Sequence, residues 1–121
     1  MKKIVFSIAC MLFVSNMAFA ADNISMDLTS KDTTGGTVYA DGTTASATTA
    51  LIGKNSTGVG TGMLTNALGY SVVTQHLNGS KAYASAYDST SIFSEDATVG
   101  TALLAVPTET NTADFASWSQ L

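Results

Sequence analysis

The chain of 121 residues contains no arginine, and cysteine, histidine, proline and tryptophan each occur once. Cys10 lies in an N-terminal segment that we expect to be removed, which excludes a disulfide, a thiolate metal site and a catalytic thiol in the mature chain. No residues with metal-ligand spacing accompany His76, the single histidine. We therefore predict no enzyme activity, no catalytic residue, no metal and no cofactor. We interpret His76 as a half-exposed strand residue opposite Lys81.

Positive charge is also scarce. Residues 21–121 contain three lysines and nine acidic residues, which gives a formal charge of −6. Because nucleic acids and anionic surfaces are bound mainly through Lys and Arg, we predict no nucleic-acid partner. Serine and threonine supply 30 of these 101 residues. This composition is typical of extracellular β proteins and filament subunits, whereas enzymes concentrate titratable groups.

The first 20 residues have the pattern of a secretory signal peptide. Two lysines precede an apolar stretch at residues 4–17, and Ala18-Phe19-Ala20 is a small-x-small cleavage sequence. The apolar stretch is shorter than the roughly 20 residues that a membrane-spanning helix needs. We therefore predict cleavage after Ala20 and export through the periplasm to the cell surface. The mature chain is expected to be one β-rich domain over residues 21–121, without a membrane span.

Strand patterns dominate the mature chain, because Thr, Val, Ile, Tyr and Phe favour pleated surfaces and glycine breaks helices. About seven short strands are predicted, with a bulged or irregular one at 56–64 where glycines recur. Residues 30–48 and 108–114 are predicted loops. The fold class is therefore all-β, a small antiparallel sheet or sandwich with no long helix. The segments that favour strands are 24–28, 37–40, 50–53, 56–64, 69–77, 80–88, 91–93 and 101–106.

The clearest local pattern is a β-hairpin around Asn78-Gly79, which favours a two-residue type I′ turn with positive φ at both residues. Such a loop sets Val73 opposite Ala84 and Tyr70 opposite Tyr87. One face of the hairpin is then bulky and amphipathic: Tyr70, Val72, Thr74, His76, Lys81, Tyr83, Ser85 and Tyr87. The other face is small and suited to close approach by another layer: Ser71, Val73, Gln75, Leu77, Ala82, Ala84 and Ala86.

Two motifs that could indicate a ligand site are weak. The glycines at 58, 60 and 62 do not make a dinucleotide loop, because Met63 stands where the third glycine is needed and no βαβ unit follows. Glu95-Asp96 has no calcium-loop pattern around it, so we interpret the pair as solvated loop charge.

The large aromatic side chains are few, and fully burying one stabilises a fold by about 2–3 kcal/mol. We predict core positions for Phe93, Phe115 and Trp118. The tyrosines are expected to have mixed roles, in the core and at a partner or carbohydrate surface.

Three stretches together resemble one protein family. They are 51–60, with Leu51-Ile52-Gly53-Lys54; 69–81, with Val73-Thr74-Gln75-His76; and Tyr87-Asp88-Ser89-Thr90-Ser91-Ile92-Phe93. With the late Trp118, they resemble the geopilin domain 2 family over about residues 51–121. The resemblance implies a β-rich pilin head, either fused behind a pilin helix or secreted as a separate chain that pairs with a short helical pilin. This chain has no prepilin leader and no long helix, so it resembles the separate kind.

What the resemblance implies is a structural subunit of an extracellular type IV pilus-like filament, associated with secretion or electron transfer, with no catalytic or cofactor residues. Its partners would be a short helical pilin and neighbouring copies. In a sheet with one apolar face, that face must be buried against another layer. We expect the partner helix on the small face, through Val73, Leu77, Ala82, Ala84 and Ala86, with the face of Tyr70, Tyr83 and Tyr87 as the alternative. The competing hypothesis is a secreted binding or adhesion module that uses the tyrosine-rich surface.

Overall fold

The computed structural model describes residues 23–24, 36–39 and 51–121. Three sequence predictions lie wholly or mostly outside these residues. They are the signal peptide at 1–20, the part of the first strand beyond residue 24, and the loop region at 30–48 apart from 36–39.

In the part of the chain that the structure describes, eight strands form two antiparallel sheets, one of six strands in the order β1-β4-β5-β6-β7-β8 and one of two, β2-β3. A turn of 3-10 helix spans Thr112–Phe115. The predicted all-β fold class is therefore confirmed. Within the described residues, no helix is both long and apolar enough to cross a membrane. The strands are β1 (Asn23–Ile24), β2 (Thr37–Tyr39), β3 (Leu51–Lys54), β4 (Val59–Thr65), β5 (Tyr70–His76), β6 (Lys81–Ala86), β7 (Phe93–Asp96) and β8 (Ser119–Gln120).

The central hairpin has the predicted register but not the predicted turn. Val73 pairs with Ala84, as expected from a two-residue loop. However, positive φ occurs only at Gly58 and Gly100 among the described residues, so the turn is not type I′. Instead, the N–H of Gly79 donates to the carbonyl of His76 at 2.8 Å. The ladder ends at Gln75 opposite Ala82, two pairs earlier than a two-residue loop implies. The longer loop is symmetric, so the register is unchanged.

Strand β4 is regular, although its glycines predicted a bulged or irregular strand. Its seven residues pair one to one with β5, from Val59 opposite His76 to Thr65 opposite Tyr70. Gly62 is buried, and a Cβ there would overlap the carbonyl oxygen of Ala105. The glycine permits close approach of another segment rather than a break in the ladder.

The predicted strand at residues 101–106 does not form. Residues 101–109 instead cross the small-residue face of the sheet, where no strand edge is available for ladder pairing. Side chains of β5 satisfy the backbone of this segment, as buried polar groups require. Gln75 Nε2 donates to the carbonyl of Thr101 at 2.9 Å, and Gln75 Oε1 accepts from the N–H of Leu103 at 3.1 Å. Ser71 Oγ donates to the carbonyl of Glu109 at 2.5 Å.

The core lies between the sheet and this C-terminal segment. Phe93 and Phe115 are buried, and their ring centroids are 6.0 Å apart. Trp118 packs edge-on against Phe115 at 5.2 Å and stays partly exposed. The predicted core positions of Phe93 and Phe115 are therefore confirmed, and Trp118 caps that core from its rim.

The predicted polar loop at 108–114 is held by one carboxylate. Asp114 accepts hydrogen bonds from the N–H of Thr108 at 2.6 Å, from Thr108 Oγ1 at 2.9 Å and from the N–H of Glu109 at 3.0 Å. Asn111 caps the short helix by accepting from the N–H of Ala113. These bonds bring Phe115 onto the sheet.

The strand predicted at 91–93 begins later and extends further. The N–H of Ser89 bonds to the carbonyl of Ala86, and the N–H of Ser91 bonds to Ser89 Oγ. This turn chemistry occupies the residues before Phe93, so pairing with β6 starts at Phe93 opposite Ala84.

Candidate functional site

The large sheet has one closed face and one open face. The closed face is that of Val73, Ala82, Ala84 and Ala86, each at most 3% exposed. Leu77 is partly buried against the same cluster. These five residues were predicted to meet a partner helix, but they pack within the chain itself. The physical reason is that Ser71 and Gln75 hold residues 101–109 across them.

The open face carries the tyrosines. Tyr70 is 44% exposed on β5 and Tyr83 is 42% exposed on β6. We call this surface the tyrosine face and define it by the outward residues of the three central strands. The predicted alternation of the hairpin is confirmed by the burial of Ser71 to Gln75 and Ala82 to Ala86. The tyrosine face comprises Val59, Thr61, Met63, Thr65, Tyr70, Val72, Thr74, His76, Lys81, Tyr83 and Ser85.

The outward residues that pair across neighbouring strands form rows, and these rows give the tyrosine face a groove. Tyr70 lies in one row, and Tyr83 lies in the row of Thr74. Four residues along a strand separate the two rows, a distance of about 13 Å. Between them lies a lower row in which Val72 pairs with Met63 on one side and Ser85 on the other. The groove therefore has two tyrosine walls and a largely apolar floor.

Tyr87 lies beside Tyr70, in the same wall of this groove. Its N–H donates to the carbonyl of Tyr70 at 3.0 Å, and its side chain is 52% exposed. The ring lies against Gly69, where a Cβ would overlap it. The absence of a side chain at Gly69 thus lets the exposed Tyr87 ring pack against the backbone.

A cavity of about 340 Å³ opens at the hairpin end of the tyrosine face. Lys81 Nζ donates to Asp96 Oδ1 at 2.7 Å across β6 and β7. This hydrogen bond and the charge of Asp96 raise the pKa of Lys81 above its ordinary value of 10.5. The cavity therefore contains a lysine whose charge is compensated by Asp96, outside the lining, rather than a free cation. Its lining residues are Val59, Thr74, Gln75, His76, Gly79, Ser80, Lys81 and Tyr83.

His76 is exposed at the end of β5 and shapes the hairpin tip. Its Nδ1 accepts from the N–H of Asn78 at 3.1 Å. Its ring lies over Gly58, where a Cβ would stand 3.1 Å from Nε2. His76 is therefore an exposed strand residue near Lys81, although the β5–β6 ladder ends one pair earlier, at Gln75 and Ala82. Its ring also contacts the neighbouring turn.

No group of three or more His, Cys, Asp or Glu residues that could hold a metal occurs within 36–39 and 51–121. Glu95 and Asp96, predicted as loop charge, instead belong to β7. Asp96 has an exposed carboxylate that pairs with Lys81.

Sequence reasoning missed the roles of Ser71, Gln75 and Gly69. A pattern for the first two was present, since strict alternation places polar Ser71 and Gln75 on an otherwise apolar face. A buried polar side chain requires a hydrogen-bond partner, so these residues indicated a segment held against that face. Nothing in the local pattern indicated that Gly69 supports Tyr87.

Comparison with known protein families finds no family model that matches the chain. No curated protein matches it significantly. No solved structure matches it significantly either.

Proposed function

We propose that this chain is the β-rich head subunit of an extracellular, type IV pilus-like filament, and that its tyrosine face receives a helix from a separate short pilin. The resemblance of residues 51–121 to the geopilin domain 2 family motivates the proposal. The export pattern of residues 1–20 is consistent with it.

One observation carries the proposal: the sheet is closed by its own chain on one face and exposes Tyr70, Tyr83 and a largely apolar floor on the other. An α-helix with its side chains is about 10–12 Å in diameter. The two tyrosine rows are about 13 Å apart along the strands, from backbone to backbone. One helix lying across the strands therefore contacts both rows and covers Val72 and Ser85.

The chemistry of the groove also favours a protein partner. Tyrosine and methionine are enriched in the cores of protein interfaces, and charged residues are depleted there. The floor consists of Met63, Val72 and Ser85, with no charged side chain among them. The charged residues Lys81 and Asp96 lie beyond Tyr83, at the rim.

A photo-crosslinking experiment tests the proposal. A crosslinking residue at Ser85, in the groove floor, should capture the helix of a short pilin in sheared filaments, identified by mass spectrometry of the crosslinked peptide. The matched position is Ser117, which is exposed in the turn after the 3-10 helix. We expect no pilin crosslink there.

A substitution adds an independent measurement. Ser85→Trp fills the groove and should abolish co-purification with filaments, whereas Ser117→Trp should leave it intact. Circular dichroism checks that both variants fold. A folded Ser85→Trp variant that still assembles, or a crosslink at residue 85 to no pilin, contradicts the proposal.

The second candidate function is a secreted binding or adhesion module. The observation that favours it is the packing of the Tyr87 ring against Gly69, because the outer side of this ring stays exposed and available for stacking. In that case the exported chain is a monomer with no filament association, and Tyr87→Ala reduces its adhesion to a surface. The same crosslinking experiment separates the two functions.

A further inference from the structure

We infer that the cavity at the hairpin end of the tyrosine face binds a neutral saccharide. The inference does not rest on the filament role, because the cavity lies beyond the helix groove and is formed by this chain alone. It rests on the kinds of side chain that line the cavity, on their charge balance and on its size.

The wall of the cavity is aromatic. Tyr83 lines it and is 42% exposed, so one part of the ring is supported by the sheet and another is free. Aromatic rings with an apolar body and a polar tip are well suited to surfaces that are partly wet. Val59 adds an apolar patch from β4, two strands away from Tyr83. A sugar ring presents C–H groups on one side, and these match the Tyr83 ring.

The polar groups of the cavity include both donors and acceptors. Lys81 Nζ uses one N–H for Asp96 Oδ1, and an ammonium group has three. Ser80 also lines the cavity, and its hydroxyl can both donate and accept. Adjacent hydroxyl groups of a sugar each donate and accept, so they match the lysine ammonium and the Ser80 hydroxyl together.

His76 also lines the cavity. Its Nδ1 accepts from the N–H of Asn78, and its ring packs over Gly58. His76 and Ser80 lie at the hairpin tip, where a ligand reaches them without entering the sheet.

The charge balance and the volume of the cavity favour a short, neutral saccharide. Asp96 compensates Lys81, and residues 21–121 carry a formal charge of −6, so an acidic polysaccharide is disfavoured. The volume of about 340 Å³ lies near the lower end of small-molecule sites, which span roughly 300–1,000 Å³. The cavity therefore fits a short segment of one or two sugar rings.

The test is a titration of the purified, ¹⁵N-labelled chain followed by NMR. The neutral probes are cellotetraose and tetra-N-acetylchitotetraose, and the acidic probe is a galacturonic acid oligomer. We expect saturable shifts of amides at the hairpin tip, residues 76–83, with at least one neutral probe and none with the acidic one. No saturable shift with either neutral probe, or stronger binding of the acidic probe, overturns the inference.

Two tyrosines on the same face provide a matched pair of variants. Tyr83→Ala should weaken saccharide binding by about tenfold, which corresponds to about 1.4 kcal/mol. Tyr70→Ala removes an equally exposed tyrosine outside the cavity and should leave binding unchanged. Lys81→Met should weaken binding as well, because it removes the ammonium donors from the cavity. Equal losses for Tyr70→Ala and Tyr83→Ala would place binding elsewhere and overturn the inference. The experiment needs no filament, so its failure is distinct from failure of the proposed function.

Discussion

The side-chain carbonyl of Gln75 accepts a hydrogen bond from the backbone N–H of Leu103 at 3.1 Å, across 28 positions of sequence. The same amide group donates to the carbonyl of Thr101 at 2.9 Å. One side chain, 2% exposed, therefore gives two backbone groups the partners that a neighbouring strand would supply. This contact holds the C-terminal segment over the small face and leaves the tyrosine face open.

Replacing Gln75 by Met should destabilise the fold strongly. The side-chain volume is nearly kept, but the backbone groups of Thr101 and Leu103 lose their partners, and an unsatisfied buried polar group costs about 1–3 kcal/mol. We expect the free energy of unfolding, measured in urea, to fall by about 2 kcal/mol or more. Gln120→Met, at an exposed position of β8, is the control and should be neutral. Equal stability of the two variants would show that the Gln75 amide does not hold the segment.

Gly62→Ala should also destabilise the protein. Its Cβ would overlap the backbone carbonyl of Ala105, which cannot rotate away as a side chain can. Overpacking of this kind costs typically about 1–3 kcal/mol. Gly53→Ala is the matched control, because no atom lies within 4 Å of the added Cβ. Thermal melting should separate the two variants, and a Gly62→Ala protein as stable as Gly53→Ala would contradict the close approach of residues 101–109 to β4.

Positive φ occurs at two glycines outside the Asn78-Gly79 turn, which is where the Asn-Gly motif predicted it. Gly58 has φ of 76° and Gly100 has φ of 79°. Alanine at either position should cost about 1–2 kcal/mol for the left-handed backbone. Gly58→Ala should cost more, because its Cβ would stand 3.1 Å from His76 Nε2, whereas Gly100→Ala meets no atom within 4 Å.

A double variant isolates that extra cost. Adding His76→Ala to Gly58→Ala should reduce the destabilisation to that of Gly100→Ala, measured by urea unfolding. A double variant as unstable as Gly58→Ala alone would mean that the His76 ring does not restrict this turn.

The Lys81–Asp96 pair predicts a pH dependence at the hairpin tip. The hydrogen bond to Asp96, and then its charge, raise the pKa of Lys81 above 10.5 in the folded state. A raised pKa means that the stabilisation is fully present below the unfolded value and is lost as pH rises through the folded pKa. We expect an NMR titration of the Lys81 ammonium to give a higher pKa in the wild type than in Asp96→Asn. An unchanged pKa in that variant would show that the pair does not persist in solution.

Local sequence features are enough to predict the sheet. The Asn78-Gly79 turn region and the alternation on either side give the register of β5 and β6, because one face has to be small and the other bulky. The register survives a wrong turn type, since the actual loop is longer by the same number of residues on each strand. Phe93 and Phe115 are predictable as core because a small domain has few other large side chains.

Local sequence features do not determine which face of the sheet stays open. The sequence alone places Tyr70 and Tyr83 on one face and Val73, Ala82 and Ala84 on the other, but it does not decide which face the chain covers. That choice depends on contacts between residues far apart in sequence, from Ser71 and Gln75 to the segment at 101–109. Periodicity carries no information about such contacts.

Composition and alternation by themselves determined an all-β chain and the two faces of its hairpin, because strand propensity and side-chain direction are local properties. Only the tertiary structure decided that the glycines of β4 admit a crossing segment and that residues 101–106 form no strand. It also decided that Tyr70 and Tyr83 remain exposed. The physical reason is that these outcomes depend on which distant backbone groups find partners, and a buried N–H or carbonyl takes its partner from wherever the fold brings one.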